Sequence, residues 1–136
     1  MAGPDRPDRL SALWVVDGNN VMGSRPDGWW RDRRGAAERL TARLRAHAWP
    51  EETEVLVIFD GSGPSEGLGE GRVHVAYAGG GRSADDAIVD LVGAQPERSR
   101  TVFTSDRDLA RRCGSAGAAV MGSGALLRRL DGGPPS

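Results

Sequence analysis

Leu13-Trp14-Val15-Val16-Asp17-Gly18-Asn19-Asn20 is the stretch on which the reading of this fold turns. Four apolar residues in a row, with no polar alternation, describe a strand covered on both faces. The run ends on an aspartate, followed by turn-forming residues. The pattern recurs: Val55-Leu56-Val57-Ile58-Phe59 runs into Asp60, and Thr101-Val102-Phe103-Thr104-Ser105 runs into Asp106. Asp85-Asp86 opens a helical stretch between the last two strands. In an open parallel α/β sheet, ligands bind outside the carboxyl ends of the strands, where the strand order reverses. Carboxylates gathered at that edge repel one another, and a hard divalent cation is the usual remedy. The expected cofactor is therefore Mg²⁺ or Mn²⁺.

The rest of the chain fits the same architecture. Strand-length apolar runs alternate with helical patterns: a helix over about 29–48, a strand over 54–59, and a glycine-rich loop over 61–71. An edge strand over 72–78, a helix over 83–93 and the strand ending at Asp106 follow. A helix over 107–116, a short strand over 118–121 and a helix over 123–130 close the pattern. Alternation of this kind predicts a parallel sheet with right-handed crossovers. The 136 residues make one domain over 13–130, with flexible ends over 1–12 and 131–136.

Composition removes several alternatives. All 18 basic residues are arginine, so a Walker A loop and receiver-type or haloacid-dehalogenase-type phosphotransfer, which use a lysine, are excluded. A single cysteine, Cys113, excludes internal disulfides and multi-cysteine metal sites, and it reads as a packing residue. Net charge is −1, so no global basic field announces nucleic acid. No apolar run approaches the ~18 residues of a membrane span, and the expected location is the cytoplasm.

Four motifs in register now carry a resemblance. Val15-Val16-Asp17-Gly18-Asn19-Asn20-Val21, Val57-Ile58-Phe59-Asp60-Gly61, Ser83-Ala84-Asp85-Asp86-Ala87-Ile88 and Thr104-Ser105-Asp106-Arg107-Asp108-Leu109 resemble the YacP-like NYN family of the PIN-like nuclease superfamily. That resemblance implies a three-layer α/β fold with a five-stranded parallel sheet of order 3-2-1-4-5. It implies a metal-dependent ribonuclease that hydrolyses single-stranded RNA with metal-activated water. An inactive RNA-binding module of the same fold is the alternative. The resemblance also leaves a ribosome or other RNA–protein complex open as a partner. In one departure, Asn19 stands where family members often carry tyrosine. An adhesion-type metal site, Asp-x-Ser-x-Ser, does not fit, because Asp60-Gly-Ser-Gly-Pro-Ser puts Ser65 one place too far.

Residue by residue, Asp17, Asp60, Asp85, Asp106 and Asp108 are the expected metal ligands. Asn20 joins Asp17, Asp85, Asp106 and Asp108 as a catalytic candidate. Asp60 also reads as a turn residue, and Asp108 as a helix cap. On a wheel of about 100° per residue, Asp85 lies beside the apolar face of its helix and Asp86 about opposite. Ser83 and Asp86 have the spacing of a capping box, which makes Asp85 the ligand and Asp86 structural. Arg31, Arg33 and Arg34, with Trp29 upstream, are the expected RNA contacts, since arginine suits phosphate and tryptophan stacks on bases. His47 and His74 lack partners at ligand spacing and read as surface residues.

Overall fold

The computed structural model describes residues 12–25, 28–63 and 72–132. Five parallel strands form one sheet: β1 (Ala12–Asp17), β2 (Thr53–Phe59), β3 (Val73–Tyr77), β4 (Ser99–Phe103) and β5 (Ala119–Met121). Their order is β3-β2-β1-β4-β5, as the family resemblance implies. Five helices connect them: α1 (Gly18–Gly23), α2 (Arg33–Ala46), α3 (Ala84–Gly93), α4 (Arg107–Ser115) and α5 (Ser123–Leu130).

Alternate residues along the strands feed two separate cores, which makes the molecule three-layered. Val16, Val55, Val57, Phe59 and Phe103 pack with Val21, Leu40, Leu44 and Leu126 from α1, α2 and α5. Leu13, Val15, Leu56, Ile58 and Val102 pack with Ile88, Val92, Leu109 and Cys113 from α3 and α4. Cys113 is wholly buried, and burial pushes its thiol up to about 11, so it packs as an apolar residue. The chain leaves β1 toward β2 and β3, then returns through α3 to β4 on the other side of β1. The strand order therefore reverses between the carboxyl ends of β1 and β4.

Two boundaries differ from the sequence expectation. The helix predicted over 29–48 is a 3₁₀ turn, Trp29–Arg31, followed by α2. Asp32 divides them: its carboxylate accepts the Gly35 amide at 3.0 Å as the N-cap of α2. α1 was not expected at all, since Gly-Asn-Asn reads as a turn. It forms because Val21 and Met22 are buried, and Gly18 permits the entry. A Cβ at Gly18 would lie 2.4 Å from the Phe59 ring, so only glycine lets α1 start against β2. The expected flexible end over 1–11, most of the glycine-rich loop and residues 133–136 lie outside the described residues. Asp131, placed by sequence in a flexible tail, is held by Arg25 and Arg43. Among the described residues no helix is long and apolar enough to cross a membrane.

Candidate active site

The register of the sheet assembles the site. β1 pairs Asp17 with Ile58 of β2 and Val16 with Phe103 of β4, which brings Asp17 level with Thr104. Asp17 is only 4% exposed. Thr104 Oγ1 donates to its Oδ2 at 2.7 Å and itself accepts the Asp106 amide at 3.1 Å. One hydroxyl thus ties the β1 carboxylate to the start of α4. Burial pushes the Asp17 carboxyl up to about 6; the Thr104 hydrogen bond opposes this, the charge of Asp85 adds to it, and Asp60 adds a little more.

Asp85, in the first turn of α3, is also raised, by burial first and then by the neighbouring charges of Asp106 and Asp60. Its neighbour Asp86 points the other way. Asp86 accepts from Arg112 at 2.8 Å, and that bond holds its carboxyl below the usual range. The Asp86 amide donates to Ser83 Oγ at 3.1 Å, the hydroxyl half of a capping box. The two adjacent aspartates therefore separate as the helical wheel suggests: one toward Asp17, one toward solvent.

Asp60 and Asp106 both meet the cluster while also serving the backbone. Asp106 caps α4, accepting the Leu109 amide at 3.0 Å. Asp60 Oδ1 accepts the Ala84 amide at 2.7 Å, and the Asp60 amide donates to Asn19 Oδ1 at 2.7 Å. This relay runs from α1 through the end of β2 to the first turn of α3, where Asp85 sits. Asn19, the departure from the family pattern, is thus employed in fixing Asp60. Asp108 stands apart from the cluster, paired with Arg111 in its own helix, and the capping role considered for it belongs to Asp106.

Asn20 closes the site from the other face. Its Oδ1 accepts the Ser105 amide at 2.8 Å and the Ser123 hydroxyl at 2.6 Å. Ser105 Oγ in turn accepts the Ser123 amide at 3.0 Å. α1, the β4 end and α5 are latched through these polar groups, with Ser123 wholly buried. Sequence reading passed over Thr104 and Ser123. Thr104 lies inside a quoted motif, but nothing local shows that its hydroxyl reaches back to residue 17.

The donors fit a hard divalent ion by their chemistry, since every one of them is a carboxylate, hydroxyl or amide oxygen. Among the described residues, no three acidic, histidine or cysteine side chains stand close enough together to hold one ion as they lie. That suits an ion that keeps several waters and takes one or two carboxylates directly, as Mg²⁺ commonly does.

The expected RNA contacts divide. Arg33 and Arg34 line a cavity beside Asn19 and Asp60, at the edge of the carboxylate cluster. Arg31 lies over the Trp30 ring. Trp29 is half-buried against Gly23 beneath the Arg33 guanidinium, so Trp30, 53% exposed, is the tryptophan that faces solvent. His74 corrects the surface reading: it is 2% exposed, with Nε2 3.2 Å from Glu54 Oε2 though out of line for a hydrogen bond.

This combination of doubly wound sheet, order and carboxyl-edge aspartates is the arrangement of the PIN-like nuclease fold. The profile of the YacP-like NYN domain matches residues 14–133, and the chain belongs to that family. Two crystal structures of Rae1 (YacP) from Bacillus subtilis resemble it. The W164L mutant has a TM-score of 0.72 at 24% identity, over 88% of this chain and 74% of that one. The other has a TM-score of 0.70 at 25% identity over the same shares. No curated protein matches the sequence.

Proposed function

We propose that this protein is a ribonuclease that hydrolyses phosphodiester bonds of single-stranded RNA with Mg²⁺ or Mn²⁺. The observation that carries the reading is Asp17: a buried carboxylate, coupled to the like charges of Asp85 and Asp60 and held by the neutral Thr104 hydroxyl. A buried charge left without a cation is expensive unless a ligand supplies the cation. Asp17, Asp85 and Asp106 would surround the ion, one or two of them directly and the rest through its waters, with Asp60 at the margin of the cluster. Asp108 would reach it only through water, because Arg111 holds its carboxylate. A bound divalent ion supplies positive charge to the transferring phosphoryl group and makes a water more acidic.

The remaining steps belong to the chain's own groups. The Thr104 hydroxyl fixes Asp17 in one orientation. The Asn19–Asp60–Ala84 relay sets where α3 begins and so where Asp85 stands. Arg33 and Arg34 provide charge for the RNA backbone next to the cluster. The family and the fold support RNA as substrate.

The test is cleavage of a labelled single-stranded RNA with Mg²⁺ or Mn²⁺, with and without EDTA. Cleavage is expected only with the ion, and Asp85→Asn should lower it by more than the ~10–100-fold that losing an outer partner costs. Full activity in EDTA would overturn the metal mechanism. Tight RNA binding with no cleavage under any divalent ion would make the protein a binding module instead.

A further inference from the structure

A cavity of about 250 Å³ opens between the first turn of α2 and the carboxyl ends of β2 and β3. Asn19 and Asp60 form one end, Met22 and Tyr77 form walls, and Arg33 and Arg34 stand at the rim. Asp60 belongs to both this cavity and the carboxylate cluster, since its charge reaches Asp17 and Asp85. The two are therefore neighbouring compartments of one edge.

The two arginines beside this cavity differ from six others in the molecule. Arg25, Arg43, Arg82, Arg98, Arg111 and Arg112 each hold a carboxylate. Among the described residues no carboxylate pairs with Arg33 or Arg34, so their charge is available to an anion from outside. The cavity between them and Asp60 lies below the ~300–1,000 Å³ of drug-sized ligand pockets, which suits one ring system with its sugar. Its lining sets the apolar and aromatic Met22, Phe59 and Tyr77 against the polar Asn19 and Asp60, with the two arginines beside them, chemistry that fits a nucleoside carrying a phosphate.

We propose that this cavity is the subsite for the single nucleotide adjoining the scissile phosphate, with its backbone phosphate on Arg33 and Arg34 and its base inside. The proposal rests on the ribonuclease reading above and adds a basis for strand selection. A base in a duplex is paired and stacked, and it enters such a cavity only by leaving the helix at an energetic cost. An unpaired strand enters freely. The site therefore selects single strands by geometry at one nucleotide.

An abasic scan tests this. Short fluorescein-labelled single-stranded RNAs carry one abasic ribose at successive positions on either side of the cleaved bond. Binding is read by anisotropy in EDTA, cleavage separately with Mg²⁺ or Mn²⁺. One position next to the cleaved bond should weaken binding about tenfold, the scale of losing one base contact. The same substitution should redirect or suppress cleavage at that bond. Arg33→Gln with Arg34→Gln should lower the slope of log affinity against log salt by about 0.7, the value for one phosphate neutralised on a single strand. Tyr77→Ala should erase the difference between intact and abasic RNA. The scan itself needs only the unaltered protein, so a misfolded variant does not spoil the test. RNA that is bound and cleaved with no positional penalty overturns the subsite and leaves the nuclease reading standing. So does a duplex bound and cleaved as well as a single strand. A protein that neither binds nor cleaves RNA with any divalent ion overturns both.

Discussion

The two ends of the sheet bury acidic residues in opposite ways. At the amino end, Glu54 of β2 lies between Arg98 and His74: Arg98 Nη2 donates to Oε1 at 2.9 Å, and His74 faces Oε2. Arg98 also reaches the Ala12 carbonyl at 3.4 Å and Gln95 at 3.3 Å, tying β1 to the turn before β4. At the carboxyl end, Asp17 is as deeply buried, yet it is held by a neutral hydroxyl and its near charges are other carboxylates. One end is electrically closed within the chain. The other is closed only when something positive arrives, and that difference separates a structural edge from a working one.

The sharpest way to break the comparison is to open the closed end. Arg98→Met leaves Glu54 buried without its strongest partner and should cost about 3–5 kcal/mol in urea or thermal unfolding. Cleavage per folded molecule should stay unchanged. A loss of activity beyond the loss of folded protein would show that the two edges are coupled.

The converse change relaxes the open end. The folded protein holds the Asp17 proton up to about pH 6, against 3.8 for an ordinary aspartate. Folding therefore loses stability as pH rises between those values, by up to about 3 kcal/mol once Asp17 is ionised. Asp17→Asn in metal-free protein should regain up to that amount above pH ~6 and gain nothing below pH ~4. Mg²⁺ should raise the melting temperature of the unaltered protein and leave the variant's alone. A variant less stable at neutral pH would contradict the picture of an uncompensated charge.

Thr104 sharpens the contrast at a finer level. Thr104→Val keeps the shape but removes the donor to Asp17 and the acceptor for the Asp106 amide. Cleavage should fall ~10–100-fold, as for other groups that orient a ligand. Thr104→Ser should restore most of it; failure of that rescue would mean the methyl group matters more than the hydroxyl. The smallest effect belongs to Asp86→Ala, which removes an exposed pair with Arg112 and should leave both melting temperature and turnover near their original values. If it stops turnover, Asp86 is the ligand and α3 presents the wrong face in this account.

The strands, their parallel arrangement and the strand-ending aspartates are legible because burial on both faces writes itself as an unbroken apolar run. The split between Asp85 and Asp86 is legible because helical period is local. α1 is not, since six residues with glycine at both ends have little helix propensity and depend on packing against β2. The Asn20–Ser105–Ser123 latch joins residues 103 positions apart, and only the folded sheet brings them together. His74 misled for a related reason: its partner is on a different strand, and ligand spacing says nothing about cross-strand neighbours.

The strand order also carries a consequence for synthesis. β1 comes first in chain order among the described strands and is the central one in the sheet, flanked by β2 and β4. Asp17 gains Thr104 only once the chain has passed β4, and Asn20 gains its second donor only with Ser123. A growing chain therefore carries Asp17 unoriented until almost the whole domain has emerged. The topology acts as a safety catch for the proposed activity: a chain that ends short of Thr104 and Ser123 lacks the groups that orient Asp17 and Asn20.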